Sequence, residues 1–129
     1  YEAHNSPGAT VSGVVWAMAE GEVGGARDID TFILLANTSS QATDVVVSLA
    51  FEDGTSVAQT FTVSANSRFN VDVRTEFPTA NGKRFGAVVE SLGAPIVVER
   101  AMYWDANGQT WAAGTNALAR LIRQTPAPR

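Results

Sequence analysis

The chain has 129 residues, 45% of them hydrophobic and 17% charged, a balance that fits one globular domain with a core of its own and excludes a disordered polypeptide. Thirteen acidic side chains outweigh nine scattered basic ones, for a net charge of −4, which argues against nucleic acid as a partner. There is no Cys, so disulfides, thiolate metal sites and thiol catalysis are excluded, and no apolar run is long enough to expect membrane insertion.

In chain order, residues 1–10 are small and polar, with a turn signal at Asn5-Ser6-Pro7-Gly8, and the first strand is expected over Gly13 to Ala19 with Trp16 as its anchor. Glu20 to Asp28 carries Gly21, Gly24 and Gly25 and reads as a loop. Asp30 to Asn37 is apolar on both parities, which predicts a central strand covered on both faces. Ala42 to Phe51 alternates, with Val45, Val47, Leu49 and Phe51 on one face. Glu52-Asp53-Gly54 signals a hairpin into a strand bearing Val57, Phe61 and Val63. Phe69, Val71 and Val73 then alternate with Asn70, Asp72 and Arg74, the pattern of a half-buried strand.

Thr75 to Lys83 is an irregular connection long enough to cross between sheets. Arg84 to Ser91 and Pro95 to Trp104 are read as two strands joined through Leu92-Gly93-Ala94. The second opens a hairpin: Asp105-Ala106-Asn107-Gly108 supplies the turn, and Gln109 to Ala113 returns toward Trp111. Ala117 to Arg123 is either a helical turn or a strand, and residues 120–129 read as a linker or tail. Short strands separated by turns, with no long helical period, predict an all-β antiparallel sandwich, Ig-like or fibronectin-like, of about seven to nine strands. The domain proper is expected at 11–119.

The strings Ala19-Glu20-Gly21, Thr31 to Asn37, Asn66-Ser67-Arg68 and Val97 to Trp104 resemble uncharacterised tandem β-sandwich repeats of large exported bacterial surface proteins. The resemblance implies architecture and an extracellular or cell-surface location, and no activity. It also implies that Tyr1 to Thr10 closes one repeat and that Trp111 to Ala119 closes the next, so that the chain is a processed or excised piece. A repeat without its neighbour exposes strand edges, and a terminal segment of one copy could add to the sheet of another. Head-to-tail repetition of such a contact makes a filament. The residues expected in that contact are Tyr1, His4 and Asn5 at one end and Leu118, Leu121 and Ile122 at the other.

Candidate chemistry is sparse. His4, the single histidine, lies in a polar segment with no nucleophile motif beside it, so no catalytic residue and no enzyme activity is expected. Glu20, Glu22, Asp28 and Asp30 flank the Gly-rich loop, where oxygen ligands suit calcium, but the spacing of a calcium loop is missing and solvated carboxylates explain them as well. No cofactor is expected. Glu99 and Arg100 are opposite charges inside an apolar strand, pointing to opposite faces, so each needs a partner. Either Arg100 pairs with a carboxylate such as Glu90 on the neighbouring strand, or Glu99 or Arg100 contacts the next repeat. Tyr103, Trp104 and Trp111 are either core aromatics or, where exposed, platforms on which a sugar face could stack. Two functions follow from different classes: a structural module assembling with like modules into an oligomer or filament, or a carbohydrate-binding or adhesion module using the exposed aromatics.

Overall fold

A computed structural model describes residues 8–126 and shows an all-β sandwich of two antiparallel sheets. The strands are β1 (Val15–Val23), β2 (Asp30–Asn37), β3 (Thr43–Phe51), β4 (Ser56–Val63), β5 (Ser67–Asp72), β6 (Lys83–Ser91), β7 (Val97–Ala106), β8 (Gln109–Leu118) and β9 (Arg120–Arg123), with one helical turn, α1 (Val73–Glu76), and a 3-10 turn (Pro78–Ala80) between β5 and β6. One sheet has the order β4-β3-β6-β1-β9 and the other β5-β2-β7-β8.

The alternating sequence of β3 does what its period of two requires: Val45, Val47, Leu49 and Phe51 face inward against Ile33 and Leu35 of β2, Val71 of β5 and Val98 of β7. Trp16 fills one side of this core at 2% exposure, and its Nε1 donates to the carbonyls of Gly13 and Ile96, both at 3.1 Å. Buried polar groups are satisfied in pairs that sew the layers together. Asn37 donates from Nδ2 to the carbonyls of Gln41, Val63 and Ser64 and accepts at Oδ1 from Ser39 N. Thr31 Oγ1 donates to Glu22 O at 2.6 Å and accepts from Glu22 N, joining β2 to β1 across the two sheets.

Four expectations are corrected. The Gly-rich segment is not all loop: β1 runs to Val23 through a bulge between Met18 and Gly21, because Gly21 lies so close under Phe85 that a Cβ would meet the ring at 2.3 Å, and only glycine lets the strand continue there. β2 is not covered on both faces: Phe32, Leu34 and Ala36 form a half-buried outer row. Residues 120–123 are not a tail, since the chain crosses at Ala119 and pairs with β1 as β9. Finally, β6 and β7 are consecutive but belong to different sheets, so Glu90 and Arg100 do not pair. The connection through α1 and the 3-10 turn does cross between sheets, plugging that end of the core with Val73, Phe77 and Ala80.

Candidate functional site

The outer face of the β5-β2-β7-β8 sheet carries the most developed surface feature, and the β7–β8 hairpin builds it. Asn107 and Gly108 both take positive φ, 53° and 75°, the conformation of a tight turn whose twist matches the strands. Past the turn, the register slips between Trp104 and Ala106, and Trp111 itself adopts φ 54°, rare for a bulky residue and costing about 1–3 kcal/mol. Two carboxylates hold it there. Asp105 Oδ1 accepts from Trp111 N, and Asp30 Oδ2 accepts from the indole Nε1, each at 3.1 Å.

The bulge turns the indole back over the sheet. Its ring stacks on Tyr103 with centroids 5.0 Å apart and planes 18° from parallel, and meets Phe32 edge-on at 5.8 Å. Phe32 and Tyr103 are themselves edge to face at 6.1 Å. Tyr103 lies flat because its register partner is Gly114, where a Cβ would come within 2.9 Å of the ring. Trp111 stays 48% exposed. Beside the rings is a cleft of about 420 Å³ floored by Leu34 and Ala101 and edged by Arg68 and Asn70 of β5. Glu99 lies on the same face opposite Leu34, and its Oε1 accepts from Asn116 Nδ2 at 2.8 Å.

Asp30 is also the end of an ion network. Its Oδ1 accepts from Arg74 Nε at 2.5 Å, while Arg74 Nη2 reaches Asp28 Oδ1 at 2.8 Å and Ile29 O at 3.1 Å. The hydrogen bond that it donates to Asp30 is the main reason that the Arg74 guanidinium holds its proton more firmly than usual, with Asp28 adding to it. The other two carboxylates of that set, both on β1, also meet arginines, Glu22 with Arg84 at 3.3 Å and Glu20 with Arg100 at 3.8 Å. These four acids therefore diverge toward cations, and among the described residues no group of three or more His, Cys, Asp or Glu side chains is arranged around a metal position.

Of the residues singled out by sequence, the structure brings Tyr103, Trp111 and Glu99 to this face. Trp104 points the other way, half-buried under the Arg27 guanidinium at 5.5 Å from its ring centroid. Arg100 is directed inward beside β1, donating from Nη1 to Glu20 O at 3.0 Å, and Glu90 instead pairs with Arg123 at 3.1 Å. Tyr1, His4 and Asn5 lie outside the described residues. Leu118 and Leu121 are half-buried, Leu121 against the domain's own core, and Ile122 is exposed, so the tail completes this sandwich as its own last strand. Phe32, central to the site, is not among the residues singled out, and Asp30 is among them only as a possible calcium ligand, whereas it holds Trp111 and Arg74; the signal for both is the outward parity of β2, which shows only once β7 is known to lie beside it.

The fold and this surface define a two-sheet β-sandwich domain with an aromatic outer face. No protein-family model matches the chain, and no curated protein does. Among solved structures it is similar to Thermotoga maritima 1070, with a TM-score of 0.77 and 12% identity over 88% of this chain and 97% of that one. It is also similar to the Anabaena sensory rhodopsin transducer, with a TM-score of 0.58 and 22% identity over 70% of this chain and 97% of that one. At such identities the likeness concerns the fold, an all-β sandwich, and carries no function with it.

Proposed function

We propose that the chain is a non-catalytic recognition module that binds carbohydrate on the outer face of its four-stranded sheet. The observation that carries this reading is the exposed indole of Trp111, fixed in one orientation by Asp30, Asp105, Tyr103 and Phe32 before any ligand arrives. A sugar ring has one face of C–H groups that packs on an aromatic plane and a girdle of hydroxyls that needs donors and acceptors. Arg68, Asn70 and Glu99 supply both kinds on the same sheet face. A rigid platform loses little conformational entropy on binding, which favours weak ligands such as glycans. The sequence resemblance to repeats of exported surface proteins supports placing the module outside the cell, where glycans are the common ligand.

The test is a glycan panel read by array and confirmed by calorimetry, with wild-type protein and Trp111→Ala. Binding that falls at least about tenfold in the variant, with circular dichroism unchanged, supports the reading. No binding across the panel, or binding indifferent to Trp111→Ala, sinks it.

A further inference from the structure

The outer face of the other sheet is unlike any water-facing sheet surface, which ordinarily alternates inward apolar with outward polar and charged residues. Across its middle, adjacent strands set Ala58, Ser48, Val88 and Ala17 side by side. The next row along reads Ser56, Ala50 and Gly86. None of these is charged, and all are small except Val88, which is 48% exposed at the centre of the central strand. Charge lies toward the strand ends and the β9 edge: Glu90 pairs with Arg123 at one end of β6, Arg84 pairs with Glu22 at the other, Asp44 bonds Thr62 at the start of β3, and Arg120 stands opposite Ala17 on β9. The opposite face of the molecule, by contrast, carries Asp30, Arg68, Glu99 and Asn70.

We propose that this face packs against the same face of a second copy, giving a back-to-back dimer of sandwiches. An uncharged centre inside a charged border is the anatomy of a protein interface. Small side chains make the sheet flat, and a flat sheet is complementary in shape to its own copy, since two sheets stack with their strands nearly aligned. Size is of the right order as well. Strands β1, β3 and β6 have nine residues each, β4 eight and β9 four, which at ~3.3 Å per residue and ~4.8 Å per strand makes a face of roughly 600 Å². A stable interface covers about 800 Å² per partner. A second copy is the occupant because the centre offers no charge, and no hydrogen-bonding side chain beyond the small hydroxyls of Ser48 and Ser56, with which to select a different partner. The dimer points its two aromatic faces in opposite directions, so it would bridge two ligand-bearing surfaces and gain little avidity on one.

A twofold axis through the middle of the face sets Val88 against Val88, so a charge placed there is counted twice. The test is sedimentation equilibrium of the full chain, wild type against Val88→Glu and Ala58→Lys, with circular dichroism and thermal melts for each. The expected result is a wild-type species of twice the 13.6 kDa chain mass. The variants should weaken the dimer on the order of 100-fold while keeping the fold, because like charges meet across the contact. Ala58 sits exposed on an edge strand, so its variant reads the interface even where Val88→Glu fails to fold. A monomer at millimolar concentration overturns the proposal, and so does an oligomer that a folded variant leaves intact. Glycan affinity per site, measured on Trp111→Ala and Val88→Glu in parallel, keeps this result separate from the fate of the aromatic face.

Discussion

The indole Nε1 of Trp111 donates to Asp30 Oδ2 at 3.1 Å, a bond between residues 81 apart in sequence, while the other oxygen of the same carboxylate takes Arg74. One acid thus ties the platform on β8 to the loop that crosses between the sheets. Its side chain is 14% exposed, so both bonds form where water competes poorly.

Asp30→Ala removes both acceptors at once. Stability should fall by about 2 kcal/mol, the scale of hydrogen bonds to a charged group in a partly buried place, and Arg74 keeps only Asp28 and the Ile29 carbonyl. In a Trp104→Phe background, which removes the half-buried third tryptophan, the freed indole should show altered fluorescence in the native state, resolved from buried Trp16 by acrylamide quenching. Native-state quenching identical to wild type would mean that Asp30 does not hold Trp111 in solution.

That network also marks the border of what sequence reasoning reaches. The hairpin from Val97 to Leu118 was readable because Asn107-Gly108 is a local signal, needing nothing beyond its own φ preferences. The inward face of β3 was readable for the same reason, as a period of two within nine residues. The aromatic site was half readable: Tyr103 and Trp111 share a hairpin, whereas Phe32 and Asp30 reach it only through the β2–β7 pairing, a contact between distant segments. The expected Glu90–Arg100 pair failed through topology. A short link such as Leu92-Gly93-Ala94 suggests neighbouring strands, and here it connects two layers instead, with Ile96 pairing to Gly13 at the crossing. β9 was open between a helical turn, a strand and a tail, because Leu121 is apolar in isolation and gains meaning only against Trp16, its register partner.

Arg100 offers a test of how a charge inside a sandwich is tolerated. Its side chain is 14% exposed, its Nε finds no acceptor among the described residues, and Glu20, the nearest carboxylate, is 77% exposed and 3.8 Å away. Desolvation therefore offsets much of what the guanidinium gains from the Glu20 carbonyl. Arg100→Met keeps the length and apolar stem, and should leave stability within about 1 kcal/mol of wild type or raise it. Urea denaturation decides the matter: a loss above about 2 kcal/mol would show that the contact with Glu20 is worth more than its geometry suggests.

The β3–β4 turn supplies the pH dependence. Asp53 Oδ1 accepts from Thr55 Oγ1 at 2.5 Å and from Thr55 N at 2.9 Å, and these bonds, the hydroxyl first, hold its carboxyl below the usual range, with Lys83 at 3.8 Å adding to the effect. Because the folded value is depressed relative to the unfolded chain, the stabilisation is fully present above the ordinary carboxylate range and is lost as pH falls through the folded value. Thr55→Val removes the hydroxyl and keeps the backbone donor. The Asp53 carboxyl, followed by NMR titration, should therefore move up toward the ordinary value without reaching it. The stability gap between variant and wild type should also narrow on acidification, since once Asp53 is protonated in both the charged acceptor is gone from each. An unmoved titration in Thr55→Val would assign the depression to the backbone N–H and Lys83 instead of the threonine hydroxyl.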